Sequence, residues 1–362
     1  MTNEGQMQKA GNGATQTQIE NLTIVNNGIT EQRAREICNE LLPQILQEYT
    51  DEATNTARSR INQFENELLN RVKRVEEMLP AFADPTFQFA LKNAQRTAAS
   101  TEREDDYSLL SELLVCHVQK GDGRKNRAGI GRAISIVGEI DNDALCALTV
   151  AHAIMQFVPI TGNTLEGLHV LNELFNKLLY HELPSGTEWL DHLDVLGAIR
   201  LDSFITMKQI FDFYSSTLDG YICVGIEKYS EEYRKAIDIL NAAHINSSCL
   251  IPNDCLDNYV RLAICQYNSI DNLLFNKGAE KVPLSEDHKQ AVRQVWNMYS
   301  KDSKLMDQVN TKFKEMWNSF DSLSKIGTWW DSLPRGFSIT QVGRVLAQTN
   351  AKRCDPRIPD LI

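Results

Sequence analysis

Apolar residues recur three and four positions apart over most of this chain, a spacing that predicts helices along nearly its whole length. From Glu31 to Leu79 one stripe runs through Ala34, Ile37, Leu41, Leu42, Ile45 and Leu46, then narrows to Ala57, Ile61, Phe64, Leu68, Val72 and Val75. Thr30 is placed as the N-cap, because a hydroxyl there accepts from a backbone N–H that the helix leaves unpaired. Pro43 is expected to kink the first half. The second half has the spacing of three, four and seven that suits a coiled-coil seam. Before it, Gln18 to Val25 sets β-branched residues beside polar ones and ends at Asn26-Asn27-Gly28, a short strand closed by a turn. A lone strand in a helical chain needs backbone partners, and copies of itself are the simplest source. Residues 18–80 are therefore read as an oligomerisation arm of a homo-oligomer. Its contact side chains are Ile19, Leu22, Ile24, Ile37, Leu41, Ile45, Ile61, Phe64 and Leu68. Residues 1–17, rich in Gln, Gly, Asn and Thr, are read as a disordered tail.

Pro80 and Asp84-Pro85 interrupt the pattern, and a run of shorter helices follows. They are expected over 86–100, 106–118, 124–137, 141–157, 165–179, 188–196, 203–218, 230–244 and 253–276. A long helix from Glu286 to about Phe320 comes next, and then a cluster of Trp329, Trp330, Leu333, Phe337, Ile339 and Val342 that reads as a docking segment. A winged-helix-like end is the weaker reading of Ser338-Ile339-Thr340. The fold class is thus all-α, a multi-helical array with an N-terminal strand. Residues 84–282 form a helical domain and 283–362 its long helix and aromatic closure.

Charge narrows the partners. The formal net charge of −11 argues against a general affinity for nucleic acid or an anionic membrane, both of which call for a basic face. Arg344, Lys352, Arg353 and Arg357 are the local exception, and nucleic-acid recognition through this C-terminal helix is kept as an alternative. The most apolar stretch, Ala144 to Ile160, contains His152 and Gln156 and ends at Pro159, so a buried helix explains it better than a membrane span. A polar N-terminus and eight scattered cysteines point to reduced thiols in a cytoplasmic protein.

Candidate chemistry is sparse. Four of the seven histidines (152, 169, 181 and 192) fall close together, and His181-Glu182 and Asp191-His192 set imidazoles beside carboxylates. His181, His192 and Asp194 could line a cleft of a metal-dependent hydrolase or nuclease. Metal-ligand spacings are missing, so histidines satisfied inside the fold are the plainer reading, and neither metal nor cofactor is expected. Cys249, Cys255 and Cys265 are too far apart for a zinc pair and read as buried thiols. Gly121 to Arg127, with Arg124 and Lys125 at a helix start, could hold an anion. It lacks the ending of a phosphate loop, so an exposed loop is the simpler reading. With no catalytic signature, the chain reads as a binding protein more than an enzyme.

Several segments in order resemble a family of bacterial helical proteins known by locus names and without an assigned activity. They are Gly28-Ile29-Thr30 before Ala34-Arg35-Glu36-Ile37, Asp84-Pro85-Thr86-Phe87-Gln88, Leu109 to Leu114, His192 to Gly197, Cys249 to Pro252, and Ile339 to Gly343 running on to Asn350. Residues 84–157 are also similar to the helical domain of abortive-infection alpha proteins, apart from a longer polar insert at Gly121 to Asn126. That resemblance implies a sensor or adaptor in anti-phage defence, with a protein partner encoded nearby or a phage component as its target.

Overall fold

Short polar caps cut the continuous apolar pattern into separate helices. The computed structural model describes residues 29–359 apart from 76–77, 122, 203–205, 278–279 and 335. Thr30 opens α1 (Glu31–Leu46) by accepting from the Arg33 N–H at 3.2 Å. The helix carries Pro43 in its last turn and then stops. A new helix, α2 (Asp51–Val72), begins with Asp51 and Glu52 in its first turn, where carboxylates suit the helix dipole. The single helix expected to Leu79 is therefore two helices and a one-turn α3 (Met78–Ala81). Apolar spacing continues across the break, so periodicity could not register it.

Asp84 caps α4 (Pro85–Ser100), accepting from the N–H groups of Thr86 at 2.6 Å and Phe87 at 3.2 Å. Then follow α5 (Glu104–Lys120), α6 (Arg124–Ile136), α7 (Asn142–Gln156), α8 (Thr164–Leu178) and α9 (Glu188–Val195). The stripe of α1 and α2 faces α4 and α5. Ile37, Ile45, Ile61, Phe64 and Leu68 are buried there and Leu41 is half-buried. Within the single chain this face, read from the sequence as a seam between copies, is turned inward. A seam and an inward helix face share one spacing, and here the facing side chains come from the same chain. Ile37, Phe64 and Leu68 belong to the core that also holds α4 to α7, so the turn at 80–84 is not a border in packing. Ile19, Leu22 and Ile24 lie outside the described residues.

The second half departs further from an all-helical run. After β1 (Ile199–Leu201) and α10 (Ile210–Thr217) come β2 (Ile226–Glu227), α11 (Glu231–Ala242), β3 (Leu250–Pro252) and β4 (Tyr259–Leu262). A hairpin of β5 (Leu274–Lys277) and β6 (Glu280–Pro283) leads to α12 (Glu286–Trp296). Strands β2, β4 and β3 form an antiparallel sheet in that order, and α11 and α12 pack on it and on each other. Ile226, Leu240, Val260, Leu262, Val292 and Val295 fill a second, smaller core. The helix expected over 253–276 is thus a strand, a 3-10 turn and part of a hairpin. Val260, Arg261 and Leu262 are buried in succession, so no alternation marked the strand. The long helix from Glu286 is also two: α12 ends before Asn297, and Asp302 caps α13 (Ser303–Asn318), accepting from Lys304 and Leu305 N–H. Helix α14 (Asp321–Asp331) follows and packs on α8 and α13. The mostly helical class holds, with this small α/β lobe set into it.

The chain closes through the middle of the helical body. β7 (Phe337–Ile339) pairs antiparallel with β1, Ile339 opposite Ile199. Thr340 then donates its backbone N–H to the Ala198 carbonyl at 3.0 Å and its hydroxyl to the Gly197 carbonyl at 2.7 Å. The same hydroxyl accepts from the Gly343 N–H and caps α15 (Gln341–Cys354). Gly343 is required by this approach, since a Cβ there would lie 2.0 Å from the Ala198 oxygen. Helix α15 lies against α5, α6, α7 and α8, with Val345, Leu346, Ala347 and Ala351 buried. Its polar residues are buried too. Asn350 donates to Thr149 Oγ1 at 2.8 Å and Tyr180 Oη at 2.9 Å, and Gln348 Oε1 meets His152 Nε2 at 3.2 Å.

Burial holds the His152 imidazole below its ordinary value of 6.5, with Arg344 adding to this and Gln348 opposing it. His117 is lowered as well, by burial and Arg127. Both rings take up a proton less readily in the fold than in the unfolded chain, which protonates below about pH 6.5. Stability therefore falls as pH drops through that window, by at most about 1.4 kcal/mol per pH unit for each ring. Buried Glu65, raised by desolvation, works in the opposite sense. Replacing His152→Gln is expected to lower stability at pH 7.5 and flatten the slope between pH 6.5 and 5. Chemical denaturation across that range checks it, and an unchanged slope would remove His152 from the account.

Candidate functional site

The histidine–carboxylate region expected from the sequence is a structural joint. His181 Nδ1 lies 3.2 Å from Asp143 Oδ1 on the first turn of α7. His192 Nε2 accepts from the Asp141 N–H at 3.3 Å, just before that helix. Asp194 Oδ1 instead accepts from the Leu201 N–H in β1 at 3.3 Å. The motif His192 to Gly197 forms the end of α9. Gly197, at φ +75°, and Ala198 donate back to the carbonyls of Asp194 and Leu193 in a Schellman turn. The structure thus brings His181 and His192 to one helix start and turns Asp194 to another partner. Among the described residues, no group of three or more His, Cys, Asp or Glu is placed to hold a metal ion.

None of the eight cysteines forms a disulfide among the described residues, and burial pushes the Cys255 thiol up to about 12, far from the reactive range. At the C-terminus, Arg353 pairs with Asp105 at 3.0 Å and lies over the Tyr180 ring. Arg357 pairs with Asp355, and Arg344 donates to the Ile339 carbonyl. These cations close the fold around α15.

A different surface collects unspent chemistry. Helices α4 and α6 run side by side and leave an open groove of about 640 Å³, lined by Pro85 and Phe89 from α4, His117 from α5, and Arg127, Gly131 and Arg132 from α6. Phe89 lies off the buried stripe of α4 and is 69% exposed. His117 is 8% exposed, packs 6.2 Å from Phe87, and its Nδ1 has no hydrogen-bond partner among the described residues. Asp84, the nearby carboxylate, is engaged in capping α4, and the Thr86 hydroxyl and backbone bonds hold it below the usual range. Arg127 reaches back to the Gly121 carbonyl at 3.2 Å and closes the end of α5. Arg124 and Lys125 are exposed on the first turn of α6, after Gly123 at φ +87°. No single motif announced this groove. Its signals were Phe89 off the stripe, Gly131 inside a helix, and cations at a helix start.

Fold and surface together define a mostly helical protein with an open, largely apolar groove under a basic rim. The chain belongs to a protein family whose model matches residues 28–359. No curated protein and no solved structure matches it. No described helix is long and apolar enough to cross a membrane.

Proposed function

We propose that this protein works by binding, as a helical interaction protein, and that the α4–α6 groove receives its partner. The observation that carries this reading is Phe89, a large ring standing 69% exposed over an open groove in a chain that buries its other α4 aromatic, Phe87. Exposed aromatic anchors beside arginines are the residues that dominate binding energies. The biological setting we propose is a sensor or adaptor in bacterial anti-phage defence. It rests on the similarity of residues 84–157 to abortive-infection alpha proteins, a span that runs from α4 to α7 and includes α4, α5 and α6, which line the groove.

The test is a phage panel plated on cells expressing the chain with its native genomic neighbours. Phe89→Gln keeps a good helix former at an exposed position, so stability should change by no more than about 0.5 kcal/mol. Protection by the wild type and its loss in Phe89→Gln is the expected result. Equal protection by both would remove the groove from the function, and no protection by the wild type would remove the defence setting.

A further inference from the structure

We propose that the α4–α6 groove binds a small amphipathic acid, with an apolar body over Phe89 and Gly131 and a single carboxylate toward Arg127 and Arg132. This rests on the reading of the groove as the binding surface and adds the chemistry of its ligand.

The first support is Gly131. A glycine inside a helix costs about 1 kcal/mol relative to alanine. A core glycine usually recovers that cost by letting a neighbour approach, as Gly129 does against Gln341, whose Cγ would lie 2.8 Å from an added Cβ. At Gly131 a Cβ would meet nothing within 4 Å. The missing side chain serves no contact within the protein; it leaves the groove open.

The second is charge. Helix α6 starts with Arg124, Lys125 and Arg127 and has no acidic residue in its first turn. Cations there oppose the helix dipole, each by about 0.3–1 kcal/mol. Among the described residues Arg124, Arg127 and Arg132 form no ion pair, as is also true of Arg58, Arg60, Arg74 and Arg234; what sets them apart is that they cluster on one helix. A positive rim retained at a local cost, on a chain of net charge −11, is complementary to an anion.

The third is the floor. His117 lies nearly buried beneath the groove, and its Nδ1 has no hydrogen-bond partner among the described residues. Burial disfavours its charged form, so an apolar body covers a ring that is already largely out of water. Size sets the class of ligand. The groove follows α4 from Pro85 to Asn93, about 12 Å at 1.5 Å per residue, and its volume is that of a small-molecule site. Most of the lining is apolar, which fits one charged end better than a polyphosphate.

The experiment uses the full chain and 8-anilinonaphthalene-1-sulfonate, a fluorescent aromatic sulfonate, with decanoate and decylammonium as competitors. Saturable binding is expected, displaced by decanoate and not by decylammonium. Gly131→Leu should weaken it by about tenfold or more, since the new side chain fills the groove. The same change should leave the thermal midpoint unchanged or raise it, because leucine is the better helix former. Arg132→Glu should weaken decanoate competition. No saturable binding, equal displacement by the amine, or undiminished binding in Gly131→Leu would each overturn the proposal. Loss of phage protection in Phe89→Gln alongside any of these would leave the groove as a binding surface for a partner of other chemistry.

Discussion

Ending the chain at Ile339, just before α15, is expected to abolish cooperative unfolding altogether. The helix is the last described element, yet it packs within the helical body and touches α5, α6, α7 and α8. Burial of Val345 and Leu346 contributes about 1.5–3 kcal/mol each. Ala347, Ala351 and Ile358 add to this, and removing the helix also exposes the surfaces it covered. Thr149, Tyr180 and His152 would lose their partners Asn350 and Gln348. The sum is comparable to the net stability of a whole domain, about 5–15 kcal/mol. Circular dichroism through a thermal ramp, against a chain ending at Pro359, reads the outcome. A cooperative transition in the shorter chain would show that the helical body stands without α15. A finer probe is Gly343→Ala, whose Cβ meets the Ala198 oxygen. It should cost about 1–3 kcal/mol by overpacking, without removing any apolar group.

The central position of α15 was hard to read because its buried face is small and polar. Gly343, Ala347, Gln348, Thr349, Asn350 and Ala351 are all buried, and a hydrophobic stripe does not describe them. The preceding Trp329, Trp330 and Phe337 drew the docking role instead, and these are buried as expected. Helices α4 to α9 were legible to within a residue or two at most ends, because Asp84, Asp141 and Asn163 are caps whose chemistry is local. The small lobe was not. Its strands are two to four residues long, and β4 places Arg261 inside, so neither period nor polarity matched a strand.

The candidate site divides in the same way. His192 and Asp194 stood out because histidine beside carboxylate suggests chemistry, yet both side chains accept from backbone N–H groups. For His192 that depends on Asp141, fifty-one residues away, and for Asp194 on the strand pairing of β1, whose Leu201 lies seven residues on, neither of which spacing encodes. The α4–α6 groove was the converse case. Phe89, Gly131 and Arg127 at its cationic helix start each break a local preference, and only the packing of two helices puts these three on one surface.

Arg261→Met is expected to destabilise the protein by about 3–5 kcal/mol, the cost of breaking a buried charge network from one side. The guanidinium is 0% exposed. It donates to Thr164 Oγ1 at 2.7 Å and to the carbonyls of Leu262 at 3.1 Å and Ile264 at 3.3 Å. It also lies 3.7 Å from Asp254 and over the Tyr221 ring. Asp254 in turn accepts from the Thr164 N–H at 3.1 Å, so both side chains converge on the first turn of α8. This cluster joins the small lobe to the helical body. Methionine keeps much of the apolar stem and removes every donor. The hydroxyl and carbonyls lose a buried partner, and the Asp254 carboxylate loses its counter-charge. Arg261→Lys keeps a charge without the planar fork, so it should recover only part of the loss. Denaturant unfolding of Arg261→Met, Asp254→Asn and the double variant separates pair from packing. The double variant should cost less than the sum of the singles by about 0.5–3 kcal/mol. A loss below about 1 kcal/mol for Arg261→Met, or strict additivity, would mean that the apolar contacts between the two cores hold the lobe in place without this charge.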